Sequence, residues 1–89
     1  MQLVKDKGYP KREIKFFKKH PDLVEKYGVV LKKLSNNSLE PSLKLHKLQG
    51  ALAEFHAVSL TYEYRIILIM KIVDEQIVLV DIGTHDDVY

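Results

Sequence analysis

The sequence predicts an α+β domain: an N-terminal strand, a helical hairpin, then a three-stranded antiparallel meander with the helices on one sheet face. Two observations carry this reading. Apolar residues up to Leu34 recur at helical spacing between proline breaks, whereas from Leu52 onward β-branched and aromatic runs alternate with short turns. A third constraint fixes the layering, because nothing but the helices is available to bury a face of the sheet. With 89 residues the chain supplies one modest core, so residues 1–89 are expected to form a single domain.

Each element has a local reason. Gln2 to Val4 is a short strand candidate carrying only Leu3 and Val4 as apolar residues. Pro10 stands where a first helical turn tolerates it, and Ile14 and Phe17 recur at i, i+3, which predicts a helix from Pro10 to Lys19. His20 and Pro21 break it. A second helix restarts at Pro21 with Asp22 in its first turn. Its apolar stripe is Leu23, Tyr27, Val30, Leu31 and Leu34, and Ser35, Asn36 and Asn37 end it. Beyond Pro41 the strands are Leu52 to Leu60, Tyr64 to Val73 and, after an Asp74–Glu75 turn, Gln76 to Ile82. The sheet face away from the helices is left for function.

Composition narrows the class. Hydrophobic content of 46% with 29% charged residues excludes a disordered chain, and the absence of cysteine excludes a disulfide framework and thiolate metal sites. The start, MQLVKDKGYPKR, lacks an apolar core of signal-peptide length, and Lys71 and Asp74 interrupt the apolar run near Ile66 before it could span a membrane. A cytoplasmic protein is expected. Charge is divided unevenly. Residues 1–48 hold 12 of the 14 Lys and Arg and 5 of the 12 Asp and Glu, a net +7 against −5 for the rest. That distribution suits a polyanion such as RNA, an acidic protein partner, or simply the solvation of two amphipathic helices.

Four histidines are candidates for proton chemistry. His20, before Pro21, reads as a helix-end or linker residue. His46 in LHKLQG, His56 within the first meander strand and His85 after the last one lie near the ends or faces of one sheet, and imidazole is the side chain suited to moving protons near neutral pH. His85, Asp86 and Asp87 offer metal-ligating atoms, but adjacent ligands lack the spacing that turns them to one side. A structural reading takes Gly83 as a turn, Thr84 as a cap, and Asp86 and Asp87 as the first residues of a final helical turn. It accounts for all of GTHDDVY except His85 and Tyr89.

The order of elements, with PSLKLHKLQG at residues 41–50, the strand start EYRIIL and the ending IGTHDDVY at residues 82–89, resembles the RelE superfamily of toxins from toxin–antitoxin modules, and within it the YafQ-like and plasmid-stabilisation branch. The resemblance covers essentially the whole chain. It implies a toxin that inhibits translation as a ribosome-dependent endoribonuclease cutting mRNA in the decoding site. It further implies no metal or other cofactor, the RNA 2′-hydroxyl serving as nucleophile. Such chemistry needs a base for the 2′-hydroxyl, a cation for the phosphorane and an acid for the 5′-oxygen.

Carried over by position, the resemblance makes His46 the base, His85 the acid (the two roles being interchangeable), Arg65 the phosphate clamp and Tyr89 a stacking or orienting aromatic. His56 falls where RelE itself has a catalytic lysine, or else is a satisfied histidine on the sheet surface. Ser59 and Glu63 stand where YafQ-like toxins carry a further histidine and an aspartate, a departure from the pattern. Lys44 and Lys47 are phosphate-positioning candidates, because a solvated lysine stays protonated near pH 7. The implied partners are a cognate antitoxin, joined in a higher assembly, and the ribosome with its mRNA, with no membrane. The alternative within the superfamily is a ParE-like gyrase binder or a catalytically degenerate antitoxin-binding protein. Keeping His46, Arg65 and His85 together favours the nuclease, since a gyrase binder needs no proton-transfer set.

Overall fold

The computed structural model describes residues 1–50 and 54–84. Its elements are β1 (Gln2–Lys5), α1 (Tyr9–Lys19), a 3₁₀ turn (Pro21–Leu23), α2 (Val24–Asn36), a second 3₁₀ turn (Pro41–Leu43), β2 (His46–Lys47), β3 (His56–Ser59), β4 (Tyr64–Lys71) and β5 (Gln76–Thr84). Five strands form one sheet in the order β1-β5-β4-β3-β2. The expected antiparallel meander is β3-β4-β5, and β1 adds to its free side parallel to β5, with Val4 opposite Val78.

The structure differs from the sequence reading in several places. The stretch around His46, expected to precede the sheet, is itself a two-residue strand paired antiparallel to β3. Single-sequence periodicity has no purchase on a strand this short, which is held by a neighbour distant in sequence. In α1 the buried residues are Tyr9 and Phe16, while Phe17 is half-buried and Ile14 is 60% exposed. The helix begins at Tyr9, one residue before Pro10, so its inner stripe runs Tyr9, Glu13, Phe16 and His20. Ile14 lies about 100° away, one residue round the helix from Glu13. The α2 stripe is as expected: Tyr27, Val30 and Leu34 are buried, with Leu23 and Leu31 packed against them.

Helices and sheet meet in one main core. Ile66, Leu68, Ile77, Leu79 and Val58 project from the sheet onto Tyr9, Phe16, Tyr27 and Leu34. Within it runs a polar chain. The Tyr9 and Tyr27 hydroxyls are 2.7 Å apart, Tyr27 donates to Glu13 Oε2 at 2.5 Å, and Lys5 Nζ lies 2.8 Å from Glu13 Oε1. Those contacts tie α1, α2 and β1 together and satisfy hydroxyls whose burial would otherwise be costly. Burial raises both tyrosine pKa values well above the ordinary tyrosine value, Tyr27 further through its hydrogen bond to the Glu13 carboxylate.

The opposite sheet face also bears apolar cover. Leu48, Ala57 and Ile67 are buried there, with Phe55 and Val80 packed against them. Part of the surface expected to be left for function is therefore a second, smaller core.

Candidate active site

Strand alternation decides which side chains meet. In β4, Ile66 and Leu68 enter the main core and Ile67 the small one, so Arg65 shares the face of Ile67, away from the helices. Its cross-strand partners are Ser59 on β3 and Gly83 on β5. His46 pairs with Ala57, which pairs in turn with Ile67, and so belongs to the same face. His46 and Arg65 are two strands apart and displaced by two residues along the sheet, roughly 12 Å between backbones at ordinary strand spacings. A long guanidinium arm and an imidazole can close on a group the size of a phosphodiester placed between them.

The approach to β2 sets the His46 ring. Glu40 accepts hydrogen bonds from the backbone N–H of Ser42, at 2.9 Å, and from its hydroxyl, which caps the turn Pro41–Leu43. Lys44 ends that turn in the left-handed region, at φ 51°. The chain reversal brings the Lys44 carbonyl oxygen to 3.0 Å from His46 Nδ1. A carbonyl only accepts, so Nδ1 must carry the proton, and in the neutral ring the lone pair sits on Nε2. His46, Lys44 and Lys47 are exposed.

His56 is placed differently. Its cross-strand partners are Leu68, a main-core residue, and Lys47, so His56 and Lys47 lie on the helix side of the sheet, opposite to His46 and Arg65. The ring is half-buried, and its Nδ1 is buried with no hydrogen-bond partner among the described residues. Burial lowers its pKa below the ordinary histidine value, with Lys47 and His46 adding like-charge repulsion.

His85 and Tyr89 lie outside the described residues, as do Asp86 and Asp87. Gly83, expected to make a turn, is a buried strand residue opposite Arg65, and β5 continues through it to Thr84 opposite Tyr64. A glycine there has no Cβ to crowd the sheet surface beside Arg65. Of the positions departing from the family pattern, Ser59 is the direct cross-strand neighbour of Arg65, and Glu63 is exposed in the β3–β4 turn.

The sequence reading missed a groove between α1 and β5. Arg12, Lys15, Lys19 and His20 line it from the helix, and Tyr64 and Gly83 from the sheet. His20, read as a linker, closes α1 and packs its ring 4.6 Å from both Phe16 and Tyr64. The available signal was the 12, 15, 19 spacing, which puts three cations on one helical face. Among the described residues no group of three or more His, Cys, Asp or Glu could hold a metal ion, and no helix is long and apolar enough to cross a membrane.

The described residues thus form an α+β domain with a histidine and an arginine on the sheet face away from a helical hairpin. Residues 2–89 match the family described as bacterial toxin of type II toxin–antitoxin system, YafQ, and the chain belongs to that family. No curated protein sequence matches. Among solved structures, the chain is similar to a copper-bound mutant toxin from Helicobacter pylori, at 20% identity and TM-score 0.81, over 100% of this chain and 99% of that one. YafQ from E. coli strain BL21(DE3) is similar at 18% identity and TM-score 0.80, over 99% and 97% of the two chains. The E. coli DinJ–YafQ toxin–antitoxin complex aligns at 21% identity and TM-score 0.78, over 99% and 96%. At these identities the likeness establishes the fold.

Proposed function

We propose that this toxin is a single-domain cytoplasmic endoribonuclease that cuts mRNA on the ribosome, without a metal, and is held inactive by a cognate antitoxin. The observation that carries the reading is the placement of His46 and Arg65 on one sheet face, with the His46 ring oriented by the Lys44 carbonyl so that Nε2 is its basic nitrogen. In this reaction His46 Nε2 takes the proton of the RNA 2′-hydroxyl as its oxygen attacks the adjacent phosphorus. Arg65 neutralises the charge that accumulates on the phosphorane. His85, as imidazolium, returns a proton to the departing 5′-oxygen, leaving a 2′,3′-cyclic phosphate and a free 5′-hydroxyl. Tyr89 stacks on a flanking base, and Lys44 contributes a phosphate contact.

The geometry of His56 supports a different place for it. A half-buried ring on the helix side, with its charged form disfavoured, suits a neutral structural residue better than a partner of Arg65. The antitoxin partnership rests on the family and on DinJ, which accompanies E. coli YafQ in the similar complex. The deciding experiment is to express the toxin and its His46→Ala variant in cells, map mRNA 5′ ends, and assay gyrase supercoiling in parallel. Cleavage of translated mRNA that disappears with His46 is the expected result; intact mRNA with inhibited gyrase would replace the nuclease with a binding toxin.

A further inference from the structure

The groove between α1 and the end of β5 encloses about 430 Å³. That lies within the usual span of small-ligand clefts, about 300–1,000 Å³, and suits one nucleotide better than a packed peptide helix. Its helical wall is cationic. Arg12 donates from Nη1 to the Val80 carbonyl at 2.9 Å, which fixes the guanidinium beside the strand with further N–H groups to offer. Lys15 and Lys19 have no ion-pair or hydrogen-bond partner among the described residues. One acid, Asp81, also lines the groove, its Oδ1 accepting from the Ile82 backbone N–H at 2.8 Å. Next to the cations stands the ring surface of His20 and Tyr64, with centroids 4.6 Å apart. Gly83 lines the groove and is the cross-strand partner of Arg65, whose side chain is on the other face; among the described residues β1 covers β5 only as far as Leu79, so a strand can pass from the groove over the uncovered β5 edge to the Arg65 face.

We propose that this groove is a nucleotide subsite for the RNA strand next to the scissile phosphate, with Arg12, Lys15 and Lys19 on the backbone and the His20–Tyr64 surface against a base. The inference rests on the ribonuclease reading for which strand arrives there. Cations interleaved with rings match the alternation of phosphate and base along a single strand. An acidic peptide would engage the cations and leave the rings without a π partner.

The test uses the full-length toxin and a labelled 2′-O-methyl RNA decamer, whose blocked 2′-oxygen separates binding from cleavage. Lys15→Glu/Lys19→Glu is compared with an equal charge change on α2, Lys26→Glu/Lys32→Glu, all four lysines being exposed. The α1 variant is expected to bind at least ~10-fold more weakly and to lose about 1.4 from the slope of log affinity against log salt, at about 0.7 per single-strand phosphate contact. The α2 variant should change little, and 4-thiouridine in the decamer should crosslink to His20 or Tyr64. Equal losses in both variants, parental binding by the α1 variant, no binding by the parent, or a loss confined to antitoxin binding would each overturn the subsite. A parent that binds through the groove yet cleaves no mRNA would instead remove the ribonuclease reading and leave the subsite standing.

Discussion

His46 Nδ1 lies 3.0 Å from the carbonyl oxygen of Lys44, two residues earlier in the chain. The contact exists because Lys44 adopts a left-handed backbone, φ 51°, at the end of a capped 3₁₀ turn. A surface histidine on a two-residue strand thereby gains a defined tautomer.

Substituting His46 by alanine should lower mRNA cleavage by roughly 10²- to 10⁴-fold, the usual cost of losing a general base or acid. Fold and antitoxin binding should survive, since the side chain is exposed. Circular dichroism with antitoxin co-purification checks the second half. Wild-type growth inhibition by the alanine variant at equal expression would remove His46 from the chemistry.

Lys44 separates a backbone role from a charge role. Glycine accepts a φ of 51° without strain, so Lys44→Gly keeps the turn and the carbonyl that holds His46 while deleting the ammonium. Weaker RNA binding with a shallower salt dependence, by about 0.7 in slope, is expected, with cleavage of bound RNA nearly unchanged. An isoleucine at the same position, disfavoured in this backbone region, should instead damage turnover.

The C-terminal residues carry a prediction from the family resemblance. His85→Ala should abolish toxicity with the fold intact. Deleting Tyr89 should cut cleavage substantially, whereas Tyr89→Phe should be mild if stacking, a contact worth about 1–3 kcal/mol, is its role. Full activity of the deletion variant would reduce Tyr89 to a chain end, and an inactive phenylalanine variant would bring its hydroxyl into the reaction.

Tyr27→Phe interrupts the chain from Tyr9 to Glu13 and Lys5. Leaving partners unsatisfied in a buried setting costs about 1–3 kcal/mol. For a chain of this size each kcal/mol lowers the melting temperature by roughly 4–8 °C. Calorimetry of the two proteins at pH 7 measures the difference, and an unchanged melting temperature would show that the chain contributes nothing to stability.

Stability should decline on both sides of neutrality for separate reasons. The folded state holds the His56 pKa below its ordinary value, so the unfolded chain binds the extra proton first. The contribution is full above about pH 6.5 and is lost as pH falls. The tyrosine pair is shifted the other way, so its contribution is full below about pH 10 and is lost as pH rises further. Urea midpoints from pH 5 to 11 should show both declines, with His56→Gln flattening the acid limb and Tyr27→Phe the alkaline one.

The sequence by itself determined the elements whose periodicity is long and self-consistent. The stripe from Leu23 to Leu34, the β-branched runs from Tyr64 and Gln76 and their antiparallel order follow from local spacing and turn chemistry, because each segment must bury one face. The motifs around His46, Arg65 and His85 named the candidate chemistry. Only the tertiary structure decided that His46 and Arg65 share a face and that His56 lies on the other. A one-residue change of register moves a side chain through the sheet; the pairing of β3 with β4 sends His56 toward the helices, and the pairing of β2 with β3 puts His46 on the face of Arg65. The groove, too, was out of reach of the sequence, because Arg12 and Gly83 are 71 positions apart and meet only where α1 crosses the end of β5.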